Sequence, residues 1–179
     1  MDFLWIVFAI ILIANAVAAV AIAWMLSRKP PKSGSHSMTI MLLGLGVWSF
    51  SYAMITLSPT LETKHLWLKL ENIGILSVPV LWFFFTMKFT RLDKWMTGKP
   101  IMLLFWVIPA VSLLFLFSED WFHLYYKSTH TASAGGGPLV ISRGPMYWIA
   151  LTHAYLLNLA GMGVLVWRFI KSRLVYRRQ

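Results

Sequence analysis

Few side chains in this sequence could do chemistry. Histidines stand at positions 36, 65, 123, 130 and 153. None pairs with another at the four-residue spacing that puts two imidazoles on one helical face, as a helical zinc site requires. His123 and His130 share a segment with Glu119 and Asp120, a set from which zinc or copper could draw ligands. Solvated or interfacial histidines are the other reading, and we expect no metal and no cofactor. The sequence carries no Gly-x-Ser-x-Gly elbow, Walker A loop or kinase signature. It has no cysteine, which excludes disulfides, thiol nucleophiles and cysteine-rich metal sites. No catalytic residue is expected, and an embedded enzyme would rest on the histidines and Glu71 alone.

The informative polar residues are those inside long apolar runs, where burial in lipid is costly and such groups face protein or water. Glu71 shares a helical face with Trp67, Gly74, Val78 and Trp82 at spacings of three and four, and Asn72 is its neighbour. A later run offers Tyr147, Trp148, Thr152, His153, Tyr155 and Asn158, of which Thr152, Tyr155 and Asn158 nearly align. In that run Gly161 and Gly163 would allow close helix approach. Arg143 lies at the same end as Glu71, which allows an ion pair between the third and fifth spans. These groups could satisfy one another and hold a bundle together. Alternatively, Trp67, Glu71, Arg143, Trp148, Thr152, His153 and Tyr155 could line an outward-facing ligand pocket. Asn15, in the first run, reads as inter-helix glue.

The elements that must position these residues follow from composition. Of the 179 residues, 59% are hydrophobic and 12% charged, with mean hydropathy +0.69. A soluble domain is less apolar and about a quarter charged, and disorder needs the opposite balance. A membrane-crossing helix needs about 20 mostly apolar residues. Runs at 3–26, 38–57, 60–90, 100–117 and 146–170 qualify as five helical spans in one transmembrane domain covering 1–179. Transmembrane strands would be about 10 residues with alternating polarity, and these runs are longer and apolar all round. The first span is read as an uncleaved helix, because its positive charge follows the apolar core instead of preceding it. Pro79 and Pro109 fall inside the third and fourth spans, where each removes a helix hydrogen bond.

The net charge of +10 would suit nucleic acid if it were spread over a solvated face. Instead, segments 27–37 and 88–99 and the basic tail 168–179 together hold 12 of the 16 Lys and Arg, while five of the six acids fall on the opposite side. The excess of positive charge puts the N-terminus outside and the C-terminus in the cytoplasm. No nucleic-acid partner is expected. The sizeable outside segment is 118–145. Ser118 to His123 reads as a short amphipathic stretch at the interface. Ser128 to Ser133, the turn signal Gly135-Gly136-Gly137-Pro138 and the β-prone Leu139-Val140-Ile141 predict a β-hairpin. Pro145 opens the fifth span at its first turn. The expected fold is all-α: a polytopic bundle of five transmembrane helices with a short hairpin-like extracellular loop between the fourth and fifth.

One ordered set of residues resembles a known family. Leu66-Trp67-Leu68-Lys69-Leu70-Glu71-Asn72-Ile73-Gly74 leads into Pro79-Val80-Leu81-Trp82 and Phe89-Thr90. Trp95, Ile108-Pro109, a loop containing Trp and His, and Arg143-Gly144-Pro145-Met146-Tyr147-Trp148 follow. From about residue 3 to 170 this order resembles the seven-helix N-terminal region of bacterial sensor histidine kinases. The resemblance implies a multi-pass sensor in the bacterial cell (inner) membrane. It would pass an extracytoplasmic or bilayer signal to a cytoplasmic kinase or other signalling output domain. The implied partners are the lipid bilayer, an unknown small ligand or peptide, and a second copy in a homodimer. The chain departs from the pattern in having five spans, which reads as a truncation or as a five-helix relative acting through a partner, and in lacking the kinase catalytic part. The competing reading is a small transporter or an accessory subunit of a membrane complex.

Overall fold

The computed structural model describes residues 3–30, 34–96, 99–133 and 136–176. Among the described residues, five helices are long and apolar enough to cross a membrane. They are α1 (Phe3–Ser27), α2 (Ser35–Leu57), α3 (Leu61–Phe89), α4 (Lys99–Phe117) and, after a one-turn helix α5 (Glu119–Phe122), α6 (Pro145–Tyr176). A 3-10 turn, Asp93–Met96, links α3 towards α4. Between α5 and α6 lies an antiparallel hairpin of β1 (Tyr126–Ser133) and β2 (Gly136–Arg143). Helix α2 begins three residues before the expected span, and α6 runs on into the basic tail. The hairpin is longer than the two expected arms because β1 starts at Tyr126, paired with Arg143. Gly135 of the expected turn lies outside the described residues, as do Lys32, Arg177 and Arg178.

Small residues set the order of packing. Ala9, Ala16, Ala19 and Ala23 form the buried face of α1, which meets Gly46 and Ser49 of α2. There Asn15 donates to the Ser49 hydroxyl at 2.6 Å, an inter-helix bond of the kind that holds helices together in lipid. Helix α2 then crosses α3 closely. A Cβ on Gly74 would stand 2.5 Å from the Gly44 carbonyl oxygen and 2.9 Å from Trp48, so only glycine fits this contact. At the start of α3, the Thr60 hydroxyl caps the amide of Thr63. One turn on, buried Lys64 donates to the Ile55 carbonyl at 2.9 Å, placing a cation on the last turn of α2.

Helix α3 is the central element, with α2 on one side and α4 and α6 on the other. Two apolar clusters hold these contacts. Near the hairpin, Leu68, Leu76, Leu116, Tyr125, Tyr126 and Ala150 pack together with Trp67 and Tyr147 at their margin. Further along, Val80, Phe84 and Leu157 pack with Phe83, Phe105 and Trp106. Pro79 is accommodated inside α3 and Pro109 inside α4. The α1, α4 and α6 surfaces turned away from these contacts remain apolar and exposed, as suits a hydrocarbon solvent.

Candidate functional site

The structure concentrates its buried polar chemistry where the hairpin meets α3. Asn72, only 1% exposed, sits one turn beyond Leu68 and in the middle of the site. Its side-chain amide is used at both ends. The Tyr125 hydroxyl donates to Oδ1 at 2.8 Å. The amide nitrogen donates to the Tyr126 hydroxyl at 3.0 Å and to the Leu68 carbonyl at 2.8 Å. One helical residue therefore forks onto two consecutive tyrosines at the root of β1. Their rings meet edge-on with centroids 4.8 Å apart, and Tyr147 of α6 packs against both. Burial holds both phenols above the ordinary tyrosine range, reinforced by the neighbouring Tyr147 at Tyr125 and by Tyr125 at Tyr126. They therefore act as neutral hydroxyls.

Glu71 lies beside this fork, 8% exposed, facing the Trp48 side chain of α2. A second tie joins the hairpin to α3 farther out, between the Thr129 hydroxyl and Nε2 of His65. The chain can enter and leave the hairpin at this depth because of Gly144. Its amide donates to the Tyr125 carbonyl at 2.8 Å, and the Met146 amide donates to the Leu124 carbonyl at 3.1 Å. A Cβ at position 144 would collide with the Leu124 carbonyl. Pro145 then opens α6. The Arg-Gly-Pro segment is thus a backbone seal between the hairpin root and α6.

These observations frame a comparison with known proteins. A family model described as the N-terminal 7TM region of histidine kinase matches residues 6–179. The chain belongs to this family. No curated protein and no solved structure matches it. Membership assigns the chain to a sensory membrane region and not to the catalytic part of such kinases. In this member, the segment from Trp67 to Trp82 is the middle of α3. It carries the Asn72 fork, the Gly74 crossing and Trp82, which packs against Gly161 of α6.

The structure distributes the expected ligand residues unevenly. Trp67 stacks edge-on with Phe50 at 5.7 Å beside the core. Arg143 does not pair with Glu71: its guanidinium lies over the Tyr147 ring at 5.0 Å, while the carboxyl is turned to Trp48. The physical reason is depth. Glu71 is buried against α2, whereas Arg143 ends β2 at the exposed rim. Trp148, Thr152 and Tyr155 lie on the exposed side of α6, and His153 is half-buried. Gly161 makes the close approach expected of it, and Gly163 faces open space. Among the described residues, no three His, Asp or Glu side chains group around a common point. Reading by residue type passes over Tyr125, Tyr126 and Trp48 and takes Asn72 only as a neighbour. The one available signal is two adjacent tyrosines immediately after an interfacial turn.

Proposed function

We propose that the chain is a sensory input module in which the hairpin is the receiving part and α3 the transmitting part. The observation that supports this is the Asn72 fork, which ties the hairpin root to the helix that packs against α2, α4 and α6. An extracytoplasmic or bilayer signal that moves the hairpin must either carry α3 with it or break hydrogen bonds that have no water to replace them. Helices α3 and α6 would deliver that movement, at their far ends, to a cytoplasmic kinase core or other output. The basic segments at those ends support an N-terminus outside and a C-terminus in the cytoplasm. Arg143 and Trp148, exposed beside the fork, are where a small ligand or peptide would first make contact.

The test is a fusion of the full chain to a reporter histidine kinase core, assayed by autophosphorylation in vesicles of different acyl-chain length. The reading expects output to depend on the bilayer, and Asn72→Leu to change that dependence by about fivefold or more, the lower range of allosteric coupling. Equal output from parent and variant in every bilayer would overturn it.

A further inference from the structure

At the end of the bundle away from the hairpin, α3 and α6 part company. Their close contact is at Gly161, where a Cβ would stand 2.6 Å from the Trp82 indole nitrogen and 3.2 Å from the Thr86 hydroxyl. Beyond it, the last residues of α3 and the next turns of α6 line a cavity of about 450 Å³ bounded by Phe89, Thr90, Leu165, Val166, Arg168 and Phe169. All but two of these side chains are apolar. The Thr90 hydroxyl is already committed to the Thr86 carbonyl at 2.7 Å. That leaves Arg168 as the charged group among the described residues of the groove.

Arg168 differs from other cations of the molecule. Arg28 lies over Trp24, Arg143 over Tyr147, Lys171 over Trp167, and Lys64 caps α2. Among the described residues, Arg168 has no carboxylate, carbonyl or ring partner. Its groove has the neighbours that suit headgroup depth. The Lys171–Trp167 pair is one turn away on α6, and Lys88 and Arg91 flank Phe89 and Thr90 in the chain. An apolar slot that ends at an uncompensated guanidinium in a basic rim complements one kind of molecule present there.

We propose that this groove binds an anionic phospholipid, with an acyl chain along Phe89, Leu165, Val166 and Phe169 and the phosphate on Arg168. The guanidinium then gains a charge-assisted hydrogen bond to phosphate, and the lipid seals the gap between the two helices. The site stands apart from the hairpin and does not rest on the signalling role.

Native mass spectrometry of the full chain, released from mixed phosphatidylglycerol and phosphatidylcholine vesicles, reads the preference directly. One tightly held phosphatidylglycerol is expected. Arg168→Gln should weaken its retention about fivefold, the share of one basic residue near an anionic surface. Lys29→Gln, an equal charge change at the end of α1, should leave it unaltered. Val166→Phe, which fills the groove without touching charge, should also displace the lipid. Equal loss with Lys29→Gln would show diffuse surface attraction and overturn the site. So would equal retention of phosphatidylcholine. Competition by inorganic phosphate or glycerol phosphate at the lipid's own concentration would show that the acyl chain contributes nothing, and would overturn the lipid assignment.

Discussion

Tyr125 donates to Asn72 across 53 positions of sequence at 2.8 Å, and both side chains are almost wholly buried. The bond joins the root of a hairpin to the middle of a membrane-crossing helix, and the same amide continues to Tyr126. In such surroundings a polar group without its partner costs far more than the bond itself contributes.

Replacing Asn72 by Leu keeps the volume and strands two phenolic hydroxyls. Each stranded group costs about 1–3 kcal/mol, so a clear loss of thermal stability in detergent is expected. Tyr126→Phe removes only one of the amide's two acceptors, because the Leu68 carbonyl remains. It should cost about 1 kcal/mol. Thermal unfolding of the three proteins checks the ranking, and an Asn72→Leu protein as stable as the parent would contradict it.

Two glycines should refuse even one methyl group. Gly74→Ala drives a Cβ into the Gly44 carbonyl and Trp48, which forces α2 and α3 apart at a cost of about 1–3 kcal/mol. Gly144→Ala meets the Leu124 carbonyl and should loosen the seal beneath the hairpin. Hydrogen exchange separates the two. The first substitution should speed exchange along α2 and α3, and the second should speed it in β1 and β2. Gly163→Ala, in open space, serves as the neutral control.

The two buried phenols give the fold an alkaline limit. Burial raises both above the ordinary value of about 10. Below that value both the folded and unfolded chains hold these protons, and the stabilisation is fully present. As pH rises past it, only the folded chain keeps them, so stability falls with pH. Tyrosinate absorbance in vesicles should therefore show two of the six tyrosines titrating late and together, as the hairpin root lets go. Asn72→Leu should bring that release to lower pH. Six tyrosines ionising as one group near the ordinary value would contradict this.

Glu71 and Arg143 should behave independently. The carboxyl faces Trp48 and the guanidinium faces Tyr147. A double-mutant cycle of Glu71→Gln and Arg143→Gln should return a coupling below about 0.5 kcal/mol. A larger coupling would restore the ion pair that their shared end of the bundle suggested.

The spans could be read from the sequence because lipid imposes a length and an apolar composition that few other constraints mimic. Pro145 and the glycine-centred turn located the hairpin for the same kind of local reason. The site was harder. Glu71 stood out by its charge, but it faces Trp48 of α2, and no spacing within α3 could reveal which neighbour the carboxyl meets. Asn72 matters because the chain returns 53 positions later with two tyrosines at the right depth. That return depends on Gly144 fitting under two carbonyls, a tertiary fact without a periodic signature. On α6, Thr152 and Tyr155 align as expected but face outward, because Ala150, Leu157 and Gly161 take the packed side.

The central claim is that the hairpin and α3 move as one. The natural absence of cysteine permits a direct measurement. Cysteines placed at Lys127 on β1 and at Leu66 on α3, both exposed, can be joined by a bis-maleimide in the kinase fusion. Autophosphorylation is then compared before and after joining, with and without Asn72→Leu. The account predicts that joining leaves the bilayer dependence of output in the parent unchanged and restores that dependence in the Asn72→Leu protein. Loss of the bilayer dependence in the joined parent, or no recovery of it in the joined Asn72→Leu protein, would contradict it.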